Sequence, residues 1–222
     1  MEVKNVPVPV NKLFDMGDPL ARERANALIA LQAGEIDYYE YSKKLEKIQR
    51  KQLLPVLEKT KIAGDWEGFI NMALSIPELL KDAFKDFDKI PNQLKYDFAI
   101  SAYTHHGDSI PAVRKAVRNA LKYGGPTLPE YIRDKDVITV YRAGEEDIQK
   151  AKYRISWTTN KEVAEFFLKE YKNRHANNLY EGKIRTKDII AFTNSRNEFE
   201  VMQYGRVYDI TLLNPAGGPG LL

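Results

Sequence analysis

The chain has 222 residues, no cysteine, 43% hydrophobic and 29% charged residues, and a formal net charge of +3 from 34 basic and 31 acidic side chains. This excludes a disordered, collagen-like or disulfide-stapled chain, and removes thiol chemistry and Cys-ligated metals. Charge is evenly spread, with 20 basic and 19 acidic residues over 1–134 and 14 and 12 over 135–222, so bulk electrostatics do not demand nucleic acid.

Residues 1–15 place Pro7 and Pro9 among valines and predict an extended arm, because each proline fixes φ and disfavours helix before it. Helical signals then dominate 16–125. ARERANALIALQ and DYYEYSKKLEKIQRKQLL come first, with Pro55 expected to bend or end the second helix. WEGFINMALS, PELLKDAFKDF, QLKYDFAISAY and PAVRKAVRNALKY follow, with apolar residues at helical spacing such as Leu79, Leu80, Phe84 and Phe87. GGPTLPEYIRDKD reads as a break: Gly124 and Gly125 suit a helix end, and Pro126 and Pro129 prevent continuation.

Over 126–222 the texture changes. VITVYRAG, RISWTT, LYEGKIR, DIIAFT, EFEVMQY and RVYDITLL are strand candidates separated by polar turns, and NKEVAEFFLKEYKN is a helix with Asn160 as N-cap. The expectation is an α+β protein with a helical domain at 16–125 and a strand-rich domain at 126–222. No apolar run approaches the ~20 residues of a membrane span. The N-terminal stretch lacks the apolar core of a signal peptide, so the expected setting is the cytoplasm, the cell's own or a host's after delivery, with no membrane partner.

Several chemistries find no support. The histidines are His105, His106 and His175; adjacent helical histidines point about 100° apart and do not chelate as an i, i+4 pair, so no metal is expected. No serine sits in a nucleophile elbow, and no glycine-rich phosphate loop follows a strand. Arg114, Arg118 and Lys122 fall at i, i+4 and i+8 and predict one positive helix ridge, with Lys115 beside it. Such a ridge is commonly a solvated face; it also suits contact with a phosphate or an acidic partner.

The strongest signal is three short motifs in a fixed order. Val140-Tyr141-Arg142-Ala143-Gly144 carries an arginine near a strand end. Ser156-Trp157-Thr158-Thr159 precedes a helix. Glu198-Phe199-Glu200-Val201 reads as a strand with two carboxylates on one face. Alone, each is an ordinary strand or surface feature. Together they resemble the mono-ADP-ribosyltransferases of the arginine–serine–glutamate class, the cholera-toxin-like and clostridial-toxin-like enzymes. The likeness covers about residues 137–213 and not the helical part. Ser-Trp-Thr stands where that class often has Ser-Thr-Ser, which leaves substrate choice open.

The resemblance implies a catalytic domain of two packed, mostly antiparallel sheets around an NAD cleft. NAD would be consumed as a substrate: ADP-ribose passes to a macromolecular acceptor and nicotinamide is released. By resemblance Glu200 is the catalytic carboxylate beside the ribose. Glu198 would orient or deprotonate the acceptor nucleophile. Arg142 would clamp a phosphate or ribose, and Ser156 would hold Glu200 and the strands. Ala143, Gly144, Thr158 and Phe167 would complete the NAD site, Gly144 by letting backbone approach the ligand. Trp157 alternates to the other face and is expected in the core, as is one of Phe166 and Phe167.

The loop at about 171–180 would be a lid, with His175 exposed in it. The turn into the Glu-x-Glu strand would meet the acceptor through Arg196 and Phe199. A Glu-x-Glu pair in that class often accompanies arginine as acceptor, so a protein side chain is the expected target, with nucleic acid as the alternative. A degenerate fold that only binds NAD or a partner is a further alternative. Small transferases of this class without an export signal occur as bacterial effectors, toxin-system components and phage-encoded modifiers.

Overall fold

The computed structural model describes residues 20–107, 109–170, 176–194 and 197–213. The arm expected at 1–15, His175 with the first half of the expected lid, and Arg196 lie outside the described residues. The contacts divide the chain into two compact units. One holds the residues up to Pro91 together with Thr104–Ala112; the other holds Asn92–Tyr103 and everything from Val113. This division differs from the 125/126 boundary expected from composition.

In the first unit, α1 (Ala21–Gln32), α2 (Tyr38–Ala63), α3 (Trp66–Ala73) and α4 (Pro77–Ala83) pack through Ala25, Leu57, Phe69, Leu79 and Leu80. Asp37 caps α2 and Asp65 caps α3, each accepting from a backbone N–H in the first turn. Helix α2 runs on past Pro55 to Ala63, contrary to the expected bend or end as far as termination goes. Pro55 is exposed, so the carbonyl that loses its N–H partner there can reach water. Arg50 bonds Asp82 at 2.7 Å and Lys61 bonds Asp86 at 2.8 Å, fastening α2 to α4 and the 3-10 turn Phe84–Lys89.

The chain continues through α5 (Asn92–His106), α6 (Pro111–Arg118) and α7 (Glu130–Arg133). The short α7 lies inside the segment expected to be a break. Within the second unit, the Tyr96 hydroxyl donates to the Ile190 carbonyl at 2.7 Å, and Lys95 lies 5.1 Å from the Tyr123 ring centre. Gly124 is needed here, since a Cβ would stand 2.9 Å from the Tyr96 side chain. These links are why the first turns of α5 belong with the strands. Burial, followed by the nearby Asp97, pushes the Tyr96 hydroxyl up to about 12.

The remaining elements are β1 (Val137–Gly144), α8 (Ile148–Ala151), β2 (Ser156–Thr158), α9 (Lys161–Glu170), β3 (Asn178–Arg185), β4 (Ile189–Thr193), β5 (Glu200–Gln203) and β6 (Tyr208–Leu212). The α+β class holds. Among the described residues the strands form one six-stranded sheet, in the order β4-β5-β2-β1-β3-β6, where two packed sheets were expected. Every pairing is antiparallel. The halves β4-β5-β2 and β1-β3-β6 meet at one registered pair, Tyr141 opposite Thr158, whereas β1 and β3 pair along their whole length. One face of this sheet covers a core of Ile132, Ile138, Val140, Trp157, Tyr180 and Val201 with their neighbours. No helix among the described residues is long and apolar enough to cross a membrane.

Candidate active site

The three motifs converge where the two sheet halves part. Opposite Ser156 in the ladder stands Met202, and opposite Thr158 stands Glu200. Period-two alternation then puts Ser156, Thr158, Glu200 and Met202 on one face, and Trp157 on the other, where it is 2% exposed in the core. The Ser156 hydroxyl donates to Glu200 Oε1 at 2.5 Å, diagonally across the pair. Glu200 is buried, at 7% exposure. A serine two residues before the partner of Glu200 is the spacing that this diagonal contact needs.

Above this face lies a cleft of about 430 Å³. Arg142, Ala143, Ser156, Thr158, Phe167, Glu198 and Glu200 line it, and so do Tyr141, Trp157, Ala164 and Ala176. All belong to the sheet-bearing unit. Its volume falls in the usual range of small-molecule sites. Helix α9 forms one wall. Its N-cap Asn160 accepts from the Glu162 N–H at 2.9 Å, and Ala164 and Phe167, three apart, share a face. Phe167 is half-buried against the cleft and Phe166 is 57% exposed, so neither is the core residue expected from the pair.

Glu198 reaches the cleft by a different route from the expected one. Strand β5 begins at Glu200, and Glu198 lies in the preceding turn. Asn197 and Phe199 both have positive φ, at 57° and 47°. For a phenylalanine this conformation costs roughly 1–2 kcal/mol. Two bonds hold it: the Phe199 N–H donates to Asn194 Oδ1 at 3.1 Å, and the Phe199 carbonyl accepts from the Thr159 N–H at 3.0 Å. Thr158 adds a third tie, donating its hydroxyl hydrogen to the Glu198 carbonyl at 2.6 Å. The two carboxylates share the cleft because of a turn fastened at both ends, and strand alternation plays no part. Phe199 is half-buried and is not among the cleft-lining residues.

Arg142 is held on both sides. Its Nε donates to Glu146 Oε1 at 2.9 Å and its Nη1 to the Ser156 carbonyl at 2.8 Å. It thereby crosslinks the two sheet halves next to their single registered pair. Gly144 does not line the cleft. A Cβ there would stand 2.4 Å from Glu146 Oε2, so the glycine makes room for a carboxylate, in place of the close ligand approach expected of it.

Glu146, a residue that motif reasoning passes over, is buried behind the cleft. Arg154 Nε also donates to its Oε1, at 3.1 Å. Its carbonyl accepts from the Tyr180 hydroxyl and from Asn178 Nδ2. Burial pushes its carboxyl up, but Arg142, its own backbone N–H and Arg154 outweigh this and hold it below the usual glutamate value. Tyr141, which lines the cleft, has its hydroxyl pushed up by burial and then by Glu181. In the sequence Glu146 stands only in a Gly-Glu-Glu stretch after a strand, which spacing does not distinguish from a surface turn.

No protein-family model, no curated protein and no solved structure matches this chain. Chemically, the cleft offers a buried carboxylate fixed by a hydroxyl, a second carboxylate beside it, and a clamped guanidinium.

Proposed function

We propose that this protein is an NAD-consuming mono-ADP-ribosyltransferase that passes ADP-ribose to a macromolecular acceptor and releases nicotinamide. The observation that carries the reading is the 2.5 Å bond from Ser156 to the buried Glu200 on the floor of a cleft that Arg142 and Glu198 also line. Motifs far apart in sequence, which together resemble that enzyme class, supply one cleft.

The chemistry follows from the groups. Breaking the nicotinamide–ribose bond leaves positive charge on the ribose. A fixed carboxylate aimed at that charge stabilises it more strongly where the surroundings are apolar, and Ala164 and Phe167 of α9 supply an apolar wall to the cleft. Ser156 keeps the Glu200 carboxylate in place, so it need not reorganise as charge develops. Arg142 presents a planar fork suited to a phosphate or ribose. Glu198, on a turn at the edge of the same cleft, takes the proton of an incoming nucleophile. A protein side chain, arginine in particular, is the acceptor we favour. The setting we favour is the cytoplasm.

The test is to incubate the purified protein with NAD labelled in its adenylate half and a cell lysate. Label that enters macromolecules and is removed by protease supports the reading. Label removed only by nuclease would move the acceptor to nucleic acid. No label, with no nicotinamide released, would refute transferase activity.

A further inference from the structure

We propose that Glu146 is the positioning residue that sets the Arg142 guanidinium for the cleft, an inference that rests on the NAD reading of that cleft. Three independent features converge on its carboxylate. Arg142 Nε and Arg154 Nε both donate to Oε1, at 2.9 Å and 3.1 Å. Its side chain is only 4% exposed, against 23% for that of Arg142. Gly144 leaves space where any Cβ would collide with Oε2.

The backbone around Glu146 is equally constrained. Its carbonyl receives the Tyr180 hydroxyl and the Asn178 amide, both from β3. Asp147 then caps α8 by accepting from the Lys150 N–H at 3.0 Å. The backbone that carries the carboxylate is thus anchored to the sheet. With Nε held by Glu146 and Nη1 by the Ser156 carbonyl, the guanidinium plane is fixed at two points. A free arginine on a strand end would sample many rotamers, and ordering it on binding would weaken affinity. Glu146 removes that cost before the ligand arrives. It does not line the cleft, so it acts through Arg142 and touches no reacting atom.

Two readouts test this. The first needs no ligand: the side-chain Nε–H resonance of Arg142 in nitrogen-labelled protein, identified by its loss in Arg142→Lys. Its exchange with water should quicken about 10-fold or more in Glu146→Gln, the scale of losing a charge-assisted hydrogen bond. Gly144→Ala, which keeps the carboxylate but displaces it, should do the same and serves if Glu146→Gln does not fold. The second is NAD affinity by calorimetry for wild type, Glu146→Gln, Arg142→Lys and the double variant. Glu146→Gln should weaken binding about 10-fold in the wild-type background and little further beside Arg142→Lys, because coupled residues are not additive. Equal weakening in both backgrounds, or an Arg142 resonance indifferent to Glu146, would overturn the proposal. A wild type that binds no NAD would refute the proposed function, and the resonance would still decide whether Glu146 holds Arg142.

Discussion

Ser156 donates its hydroxyl hydrogen to Glu200 Oε1 at 2.5 Å, although its own partner across the ladder is Met202. The diagonal bond ties the start of β2 to the start of β5 and fixes a buried carboxylate. Ser156→Ala removes it while keeping the strand. Removing one donor to a buried charged group costs roughly 1–3 kcal/mol. We expect a lower melting temperature and a kcat for nicotinamide release reduced about 10-fold, with KM for NAD little changed. A rise in KM with unchanged kcat would mean the serine binds NAD and does not set Glu200.

Glu198 sits on the turn that Asn194, Thr158 and Thr159 hold. If it handles the acceptor, Glu198→Gln should lower the ratio of labelled macromolecule to free nicotinamide. NAD hydrolysis should fall less. An unchanged ratio would remove Glu198 from the choice of nucleophile.

The Glu146 carboxyl is held below its ordinary value of 4.5 by cations and a backbone N–H that outweigh its burial. A depressed folded value contributes stability that is present above the ordinary value and lost as pH falls through the folded one. Melting temperature should therefore drop in acid, beginning below the usual glutamate range. Glu146→Gln should show a smaller drop. Asp82, partly buried but bonded to Arg50 and Lys85, and Asp86, bonded to Lys61 and Lys89, have the same sign. Some acid sensitivity will thus persist in the variant. An identical acid profile for the two proteins would mean Glu146 carries no charge-dependent stability.

The expected basic ridge is interrupted. Helix α6 ends at Arg118, Asn119 turns its amide back to the Lys115 carbonyl at 2.8 Å, and Lys122 lies on a separate 3-10 turn. The residues Arg114, Lys115, Arg118 and Lys122 are all exposed. Reversing Arg114, Arg118 and Lys122 to Glu should reduce labelling of an acidic acceptor and leave NAD hydrolysis largely intact. Labelling by the wild type should also weaken with salt, since exposed charges are screened over ~8–10 Å near physiological ionic strength. Equal labelling at every salt concentration would make these residues a solvated surface.

What was readable in the sequence follows what is local. Apolar spacing marked the longer helices, and short strand-like runs between polar turns marked the six strands, because both signals lie within a few residues. Strand period puts Ser156 and Thr158 on one face of β2, but Glu200 joins that face only through the β2–β5 register; in the sequence these residues were linked by the family resemblance alone. The unit boundary was not legible: it depends on Tyr96 reaching the carbonyl of Ile190, which lies 94 residues away. Nor was the turn at Glu198, because a phenylalanine at φ 47° runs against its own preference and is held there by distant groups. Gly144 was expected to give room to a ligand, whereas a Cβ there would meet the Glu146 carboxylate, and nothing in the sequence says that Glu146 folds back over it.

The most direct measurement of the central claim is nicotinamide release from NAD by wild type and by Glu200→Gln, with NAD binding measured on the same samples. Glutamine keeps the shape and removes the charge. The account predicts measurable release by the wild type, retained NAD binding by the variant, and turnover lower by ~10²–10⁴-fold, the scale of lost electrostatic or acid–base catalysis. Release by Glu200→Gln at the wild-type rate, or no release by either protein, would contradict it.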